Sequence, residues 1–172
     1  MFKEIKEQPE LIRKISKKYL IEDILCRWKV LKKGKIIITG MGSSLFAAYP
    51  AYLRLLDHGY PVVWIDASEL LHYGLNSINK EDTLISISQS GESFEVVEVI
   101  KRCPNNDQII GFTAQIKSTM GKLCAETIDI LSGTEESITS TKAHTATLAL
   151  LNLLSLSWIS TQNEINGLRS LL

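Results

Sequence analysis

Two serine-rich loops contain the residues of this sequence that are best suited to bind a ligand. Loop one (residues 40–44) reads Gly-Met-Gly-Ser-Ser, and loop two (residues 88–93) reads Ser-Gln-Ser-Gly-Glu-Ser. Each loop follows a short apolar run typical of a strand and leads into a run typical of a helix. Hydroxyls and free backbone N–H groups at the start of a helix suit a phosphate group. The pattern therefore predicts a site for a small phosphorylated ligand.

Loop one alone is also compatible with ordinary helix capping. Gly40 and Gly42 permit a tight turn, and Ser43 and Ser44 stand where a helix would begin. The dinucleotide-binding fingerprint requires a third glycine, but position 45 is leucine. We therefore expect no nicotinamide cofactor.

Loop two points to a ligand more specifically. Four hydrogen-bonding side chains surround Gly91, namely Ser88, Gln89, Ser90 and Ser93. This is more than a single helix cap requires, which favours a role in ligand binding. Glu92 lies among them, but a carboxylate repels a phosphate, so we expect Glu92 to hold the loop or the start of the following helix.

A third candidate segment, loop three (residues 132–142), precedes the last long apolar run of the chain. Ser140 or Thr141 is a natural N-cap for the helix expected there. The backbone of loop three could close a pocket from one side, although a plain strand-to-helix connection is the alternative. For Lys142, a solvated first-turn lysine and a ligand contact fit the sequence equally well.

A carboxylate and an imidazole, Glu69 and His72, follow the second strand-like run and so belong near the same edge of the sheet. A turn of surface helix is the simpler explanation for this pair. The three histidines accompany neither a nucleophile motif nor a second metal ligand in the sequence. No metal site and no other cofactor is predicted.

Composition restricts the class of partner. Lys+Arg and Asp+Glu each number 19, so the net charge of zero gives no reason to expect nucleic acid or an anionic membrane as partner.

The cysteines, Cys26, Cys103 and Cys124, are widely spaced and predict buried reduced thiols rather than disulfides or a zinc site. The amino terminus lacks the apolar core of a signal peptide, and polar residues interrupt the apolar run 143–159. We therefore expect a cytoplasmic protein.

Strand-like and helix-like runs alternate along the chain. The strand-like runs are residues 35–39, 61–65, 83–88, 108–113 and 127–131. This alternation predicts a doubly wound α/β fold with a five-stranded parallel sheet in the order 2-1-3-4-5. Ligands of such sheets bind where the strand order reverses, between the first and third strands, and loops one and two follow those strands.

We expect a single domain over residues 1–172, because no Pro/Gly-rich linker divides the sequence. Before the first strand, apolar residues recur at helical spacing over residues 11–31, and Gly34 ends this helix. The domain would consist of an amino-terminal helical segment over 1–33 and an αβα core over 35–160.

Together the three loops resemble the signature loops of the sugar isomerase (SIS) domain family, over roughly residues 35–159. Residues 2–9 also resemble the segment that opens the isomerase half of glucosamine-6-phosphate synthase and of related aminosugar-phosphate isomerases and deaminases. The resemblance implies a flavodoxin-like αβα sandwich that binds phosphosugars through its loops. The positions implied in binding are Ser43, Ser44, Ser88, Gln89, Ser90, Ser93, Ser140 and, through its backbone, Ile138.

The resemblance also implies a paired architecture. Synthase-like members carry two such domains in tandem, whereas this sequence contains one. We expect a fragment, one half of a split pair, or a single-domain member that completes its pocket by oligomerising. Glu69 lies in a stretch that resembles the glutamate base of the family's second domain, and with His72 it could serve the pocket of a neighbouring subunit.

Two function classes follow from this resemblance. The first is an isomerase or deaminase of sugar phosphates of the fructose 6-phosphate or glucosamine 6-phosphate class, acting as a homo-oligomer or with a second SIS domain. The apolar last helix favours a dimer in that case. The second is a non-catalytic module that senses a sugar phosphate and acts through a partner. A single-domain tetrameric ketose-phosphate isomerase is a further alternative, against which the opening segment argues.

Overall fold

A five-stranded parallel sheet organises the residues that the computed structural model describes, which are 1–21, 33–104, 106–135, 137 and 139–170. The strands are β1 (Ile36–Gly40), β2 (Val62–Asp66), β3 (Thr83–Ile87), β4 (Ile109–Thr113) and β5 (Glu126–Asp129). Their order is β2-β1-β3-β4-β5, and all pairs are parallel. The predicted fold class and strand order are confirmed.

Helices connect the strands and cover the sheet. Within the described residues they are α1 (Phe2–Ile15), α2 (Ser43–Phe46), α3 (Tyr49–Asp57), α4 (Ala67–Glu69), α5 (Phe94–Arg102), α6 (Thr119–Leu123), α7 (Lys142–Ile159) and α8 (Gln162–Arg169). Wider π-helical turns occur at Ser16–Ile21 and Leu70–Gly74, and tighter 3₁₀ turns occur at Leu75–Ser77 and Asn106–Gln108. Helices α6 and α8 were not predicted, because α6 is only five residues long and α8 contains too few apolar residues for their spacing to reveal it.

Successive side chains of each strand point to opposite faces of the sheet, and a layer of helices packs against each face. Ile36 and Ile38 of β1 face the core that includes α1, α3 and α7, whereas Ile37 faces the core that includes α4, α5 and α6. The same alternation recurs in β3 and β4. Burial on both faces explains why these strands are continuous apolar runs in the sequence.

The apolar helix α7 is buried within the chain itself. Helices α1 and α3 pack along it, and Leu150 and Leu154 are almost fully buried. Arg54 of α3 donates hydrogen bonds of 2.8 Å to Asn152 Oδ1 and to Ser155 Oγ. The predicted buried position is confirmed. Because this packing accounts for the apolar sequence, α7 lends no support to the predicted dimer.

The first helical run differs from the continuous helix predicted over 11–31. Helix α1 begins at Phe2 and ends at Ile15, where the backbone widens into the π-helical turn. Residues 22–32 lie outside the described residues, and they include Cys26 and part of the predicted helix.

A second difference concerns the helix predicted over residues 45–56, which is divided into α2 and α3. Pro50 lies in the first turn of α3. Proline has no N–H to bond the carbonyl oxygen of Phe46, four residues earlier, so a continuous helix would lose a hydrogen bond at this point. Proline at the start of a helix costs no such bond, which places the division just before α3.

Asp82 holds the amino-terminal ends of β1 and β3 together. Its Oδ1 accepts the Lys35 N–H at 3.0 Å, its Oδ2 accepts the Asn79 N–H at 2.9 Å, and the Lys35 ammonium lies 3.3 Å away. Burial opposes ionisation of this carboxyl, but these donors outweigh burial and hold the pKa of Asp82 below its ordinary value. At the other end, Gly40 pairs with Ile87, so β1 and β3 end at the same level.

Candidate functional site

Loop one begins at the carboxyl edge of the sheet, where the backbones of β1 and β3 approach each other closely. A Cβ on Gly40 would lie 2.9 Å from the carbonyl oxygen of Ile87, so glycine is required where β1 passes the end of β3. Gly42 is the N-cap of α2, and no side chain caps that helix. Ser43 and Ser44 form its first turn. Their hydroxyls therefore do not serve as the cap, which was the alternative explanation for loop one.

Loop two is a tightly hydrogen-bonded turn. Ser88 Oγ accepts the Gly91 N–H at 3.1 Å and lies 3.0 Å from Ser93 Oγ. Ser90 Oγ accepts the Glu92 N–H at 3.2 Å. Ser93 occupies the N-cap position of α5, but its side chain makes no capping hydrogen bond. Helix α5 therefore begins without a side-chain cap, which leaves its first-turn N–H groups to another acceptor.

Loop two is anchored to the neighbouring elements by backbone contacts. The Gln89 carbonyl oxygen accepts the Ala114 N–H at 3.0 Å, and the Gly91 carbonyl oxygen accepts the Met120 N–H at 3.0 Å. The Glu92 carboxylate accepts the Thr119 N–H at 2.8 Å, and this bond lowers the pKa of Glu92. The prediction that Glu92 holds the loop is confirmed, although the helix it reaches is α6 rather than its own.

Loop three is organised by Glu135, a role that was not predicted. The Glu135 carboxylate accepts the Thr141 N–H at 2.6 Å, the Thr141 hydroxyl at 2.8 Å and the Ala143 N–H at 3.3 Å. Thr141 is the N-cap residue of α7, but its side chain makes no capping hydrogen bond. The prediction that Ser140 or Thr141 is the N-cap is confirmed for the position of Thr141, but the Glu135 carboxylate, rather than the Thr141 side chain, accepts the capping hydrogen bond. An acidic residue shortly before a helix start was the available signal.

Lys142 fits neither of the two roles left open by the sequence. Its ammonium donates a 2.8 Å hydrogen bond to Glu7 Oε2 of α1, and its side chain is 11% exposed. This bond holds the pKa of Glu7 below its ordinary value. Lys142 is thus neither a solvated lysine nor part of the pocket lining. It ties the start of α7 to α1.

The three loops meet around a cavity of about 270 Å³. Its lining consists of Ser43, Ser44, Ser88, Gln89, Ser90, Ser93, Glu135, Ser137 and Ser140. Every predicted binding position is present in this lining apart from Ile138, which lies outside the described residues. Glu135 and Ser137 are additions that were not predicted. The structure therefore brings together side chains that are almost 100 residues apart in the sequence.

Neutral donors dominate this cavity. Among the described residues that line it, Glu135 alone has an ionisable side chain, and the others are serines and one glutamine. An anion bound there would be held by hydroxyl, amide and backbone N–H groups rather than by lysine or arginine. Since the Glu135 carboxylate repels a phosphate, loop two is the favourable place for one. Loop three would then face the remainder of the ligand.

Glu69 and His72 lie outside this cavity. Glu69 is the last residue of α4, and His72 lies in the π-helical turn that follows. Both residues are exposed, and neither lines the cavity described above. The surface helical turn considered as their simpler explanation is the conformation observed.

Other chemistry-bearing groups do not form a second centre in the described part of the chain. No group of three or more His, Cys, Asp or Glu residues there could hold a metal ion. Cys103 and Cys124 are half-buried rather than fully buried and do not form a disulfide with each other, and burial raises the pKa of Cys124 to about 12. None of the helices within the described residues combines the length and apolarity needed to cross a membrane.

Comparison with known proteins identifies the family. Residues 29–157 match the SIS domain, which is more than half of the chain. The chain belongs to the SIS domain family. This SIS domain is 31% identical over 157 residues to the glutamine–fructose-6-phosphate aminotransferase [isomerizing] of Pyrococcus horikoshii. The alignment covers 90% of this chain and 26% of that relative, so the SIS domain spans about a quarter of the relative's length.

Solved structures share the fold. The C-terminal domain of glucosamine-fructose-6-phosphate aminotransferase from Francisella tularensis has a TM-score of 0.79 at 22% identity, covering 98% of this chain and 52% of that one. The c3406 protein of E. coli CFT073 has a TM-score of 0.76 at 19% identity, covering 96% of this chain and 93% of that one. At these identities the likeness establishes the αβα fold.

Replacing Gly91 with alanine is expected to disrupt loop two. Gly91 has a φ of +68°, and a Cβ there would overlap the Ser118 hydroxyl, so either the loop or Ser118 must move. We expect the free energy of unfolding to fall by about 3 kcal/mol, the sum of backbone strain and steric overlap, measured by urea denaturation. Gly59→Ala is the matched control, because Gly59 has a φ of +75° but open space around it.

The expected loss for Gly59→Ala is about 1 kcal/mol, from backbone conformation alone. Equal losses in the two variants would contradict the packing of loop two against Ser118.

Proposed function

We propose that this SIS domain binds a sugar phosphate of the fructose 6-phosphate or glucosamine 6-phosphate class in the cavity between its three loops. The observation that supports this most strongly is the convergence of hydroxyls from loops one, two and three on one cavity at the carboxyl edge of the sheet. The relative from Pyrococcus horikoshii bears the name of a fructose 6-phosphate-using enzyme, which agrees with this ligand class.

The proposed orientation follows from the charges of the cavity. The phosphate lies against loop two, where the Ser90 hydroxyl, the Gln89 amide and the uncapped first turn of α5 offer donors. Ser43 and Ser44 of loop one approach from the side of β1. The sugar faces loop three, where the carboxylate of Glu135 can accept hydrogen bonds from hydroxyls or from an amine.

We further propose that isomerisation or deamination requires a second SIS domain, either in a partner subunit or in a companion chain. Proton transfer at the carbon next to a carbonyl needs a general base close to that carbon. Among the described lining residues, Glu135 is the one carboxylate, and it already accepts the hydrogen bonds that start α7. Glu69 and His72, exposed near the same edge of the sheet, are the groups we propose to serve a neighbouring pocket.

Exposed aromatic side chains support such a pairing. Phe46, two residues after Ser44, is 62% exposed, and Phe94, the residue after Ser93, is 68% exposed. Both closely follow segments that line the cavity, so a partner that completes the cavity would also cover these side chains. We propose that the active form is a homo-oligomer or a tandem pair of SIS domains. It would act in the cytoplasm and without a cofactor.

Sensing without turnover is the second candidate function. It is favoured by the engagement of Glu135, the one carboxylate among the described lining residues, in helix capping, because a carboxylate held in this way is not available to move the protons of a bound sugar phosphate. In this case the ligand would act by stabilising the loops for recognition by a partner protein.

Thermal-shift titration of Ser90→Leu tests the proposed binding site. At a ligand concentration of 100 times Kd, glucosamine 6-phosphate should stabilise the wild type by about 2.7 kcal/mol. Ser90 is exposed at the cavity, so a leucine there should abolish this stabilisation and leave the fold intact, with a change in the unliganded Tm no larger than that of a control that loses one local hydroxyl hydrogen bond. Ser77→Leu is the control, since Ser77 is an exposed serine whose hydroxyl contacts the Gly74 carbonyl oxygen outside the cavity. Full stabilisation of Ser90→Leu would remove loop two from the site.

Replacing Glu69 with glutamine separates catalysis from sensing. If Glu69 is the base for a neighbouring pocket, Glu69→Gln should lower kcat about a hundredfold or more in an isomerase assay and leave the sugar-phosphate Kd unchanged. Glu95→Gln, a partly exposed acid on α5 outside the cavity lining, is the control. Equal rates for Glu69→Gln and the wild type would exclude Glu69 as the base, and no turnover by either would favour sensing.

A further inference from the structure

Loop three has a backbone conformation that it does not favour on its own. Leu131, directly before the loop, has a φ of +61°, and Gly133 has a φ of +62°. A left-handed conformation costs a residue such as leucine about 1–2 kcal/mol, so it persists where surrounding contacts enforce it. The Leu131 N–H donates to Asp129 Oδ1 at 2.8 Å, which fixes one end of the loop. Further contacts come from outside the loop.

Helix α1 supplies those contacts. Glu4 Oε1 accepts the Ser137 N–H at 3.2 Å, across more than 130 residues of sequence, and Glu4 is 4% exposed. One turn further along α1, Glu7 Oε2 accepts the Lys142 ammonium at 2.8 Å. Keeping a carboxylate buried is costly unless it accepts hydrogen bonds, so the Glu4 contact constrains the position of Ser137.

Both contacts lie next to the cavity. Ser137 is itself one of the lining residues. Lys142 follows Thr141, whose N–H and hydroxyl are bonded to the Glu135 carboxylate in the same lining. The two acids of α1 therefore hold loop three at two points on either side of Ser140. Loops one and two, by contrast, follow β1 and β3 directly, and the backbone contacts described above anchor loop two to the elements beside it.

We propose that Glu4 and Glu7 are positioning residues that place loop three against the sugar portion of the ligand, while loops one and two bind the phosphate independently of α1. This inference rests on the proposed function. It divides the site into two parts: a phosphate part built on the sheet, and a sugar part whose geometry depends on the docking of the amino-terminal helix. Sugar-phosphate binding and the docking of α1 are then thermodynamically linked.

Calorimetric titration of the full chain with two probes, glucosamine 6-phosphate and inorganic phosphate, tests this division. Glu4→Leu removes the acceptor for the Ser137 N–H. It should raise the Kd for glucosamine 6-phosphate about five- to tenfold, which corresponds to the net free energy of one hydrogen bond. The Kd for inorganic phosphate should stay within about twofold, since loop two is untouched. Glu4→Gln retains an acceptor oxygen and should restore most of the affinity. Glu10→Gln is the control, because Glu10 is exposed on α1 and pairs with Arg13 of the same helix.

A second arm uses Glu7, which tolerates substitution because its side chain is 40% exposed. Glu7→Ala, Lys142→Met and the double variant should each weaken glucosamine 6-phosphate binding to the same extent, since all three break the contact between Glu7 and Lys142. These variants of Glu7 and Lys142 test the inference even if Glu4→Leu fails to fold.

Three results would overturn the inference. They are unchanged affinity for glucosamine 6-phosphate in the Glu4 and Glu7 variants, an equal loss for both probes, and additive losses in the Glu7 and Lys142 pair. Failure of the wild type to bind either probe is a separate outcome, which would overturn the proposed function and this inference with it.

Discussion

The arrangement of the site depends on the pairing of β1 with β3. Asp82 sets the amino-terminal ends of the two strands against each other, and Gly40 lets their carboxyl-terminal ends approach to backbone contact distance. Since Gly40 pairs with Ile87, loops one and two leave the sheet side by side. A shift of this register by one residue would move one loop along the strand and turn its flanking side chains to the opposite face. The cavity is thus a consequence of strand pairing rather than of the loops alone.

Loops one and two could be predicted from sequence because their placement follows from short-range patterns. Runs rich in isoleucine marked β1 and β3, and serines clustered at their ends marked the loops, so the predicted strand order implied that the loops would meet. Pro50 also gave a local signal for the break between α2 and α3, although helical spacing of the apolar residues concealed it.

Loop three could not be predicted in the same way, because its partners are distant in sequence. Lys142 looks like an ordinary first-turn lysine until Glu7, 135 residues earlier, is found beside it. Likewise, the buried carboxylate of Glu4 has meaning only once Ser137 is in place. A contact between a helix and a loop that are distant in sequence produces no periodic pattern of residues. A strand, by contrast, is indicated by alternation, and a helix face by residues three or four apart.

The described lining of the cavity consists mostly of neutral hydrogen-bonding side chains. Serine hydroxyls, an amide and helix N–H groups can hold a phosphate without lysine or arginine, and the one carboxylate among the described lining residues belongs to loop three rather than to loop two. In the proposed function this asymmetry orients the ligand and leaves proton transfer to groups from a second SIS domain. The domain matches about a quarter of the length of the Pyrococcus horikoshii relative, which agrees with such a division of tasks.

A crystal structure of the chain with glucosamine 6-phosphate measures the central claim most directly. The predicted result is a phosphate group whose oxygens lie about 3 Å from donors of Gln89, Ser90 and the first turn of α5, with the sugar directed toward loop three. A sugar phosphate bound elsewhere on the chain at saturating concentration, or bound with its phosphate against Glu135, would contradict it.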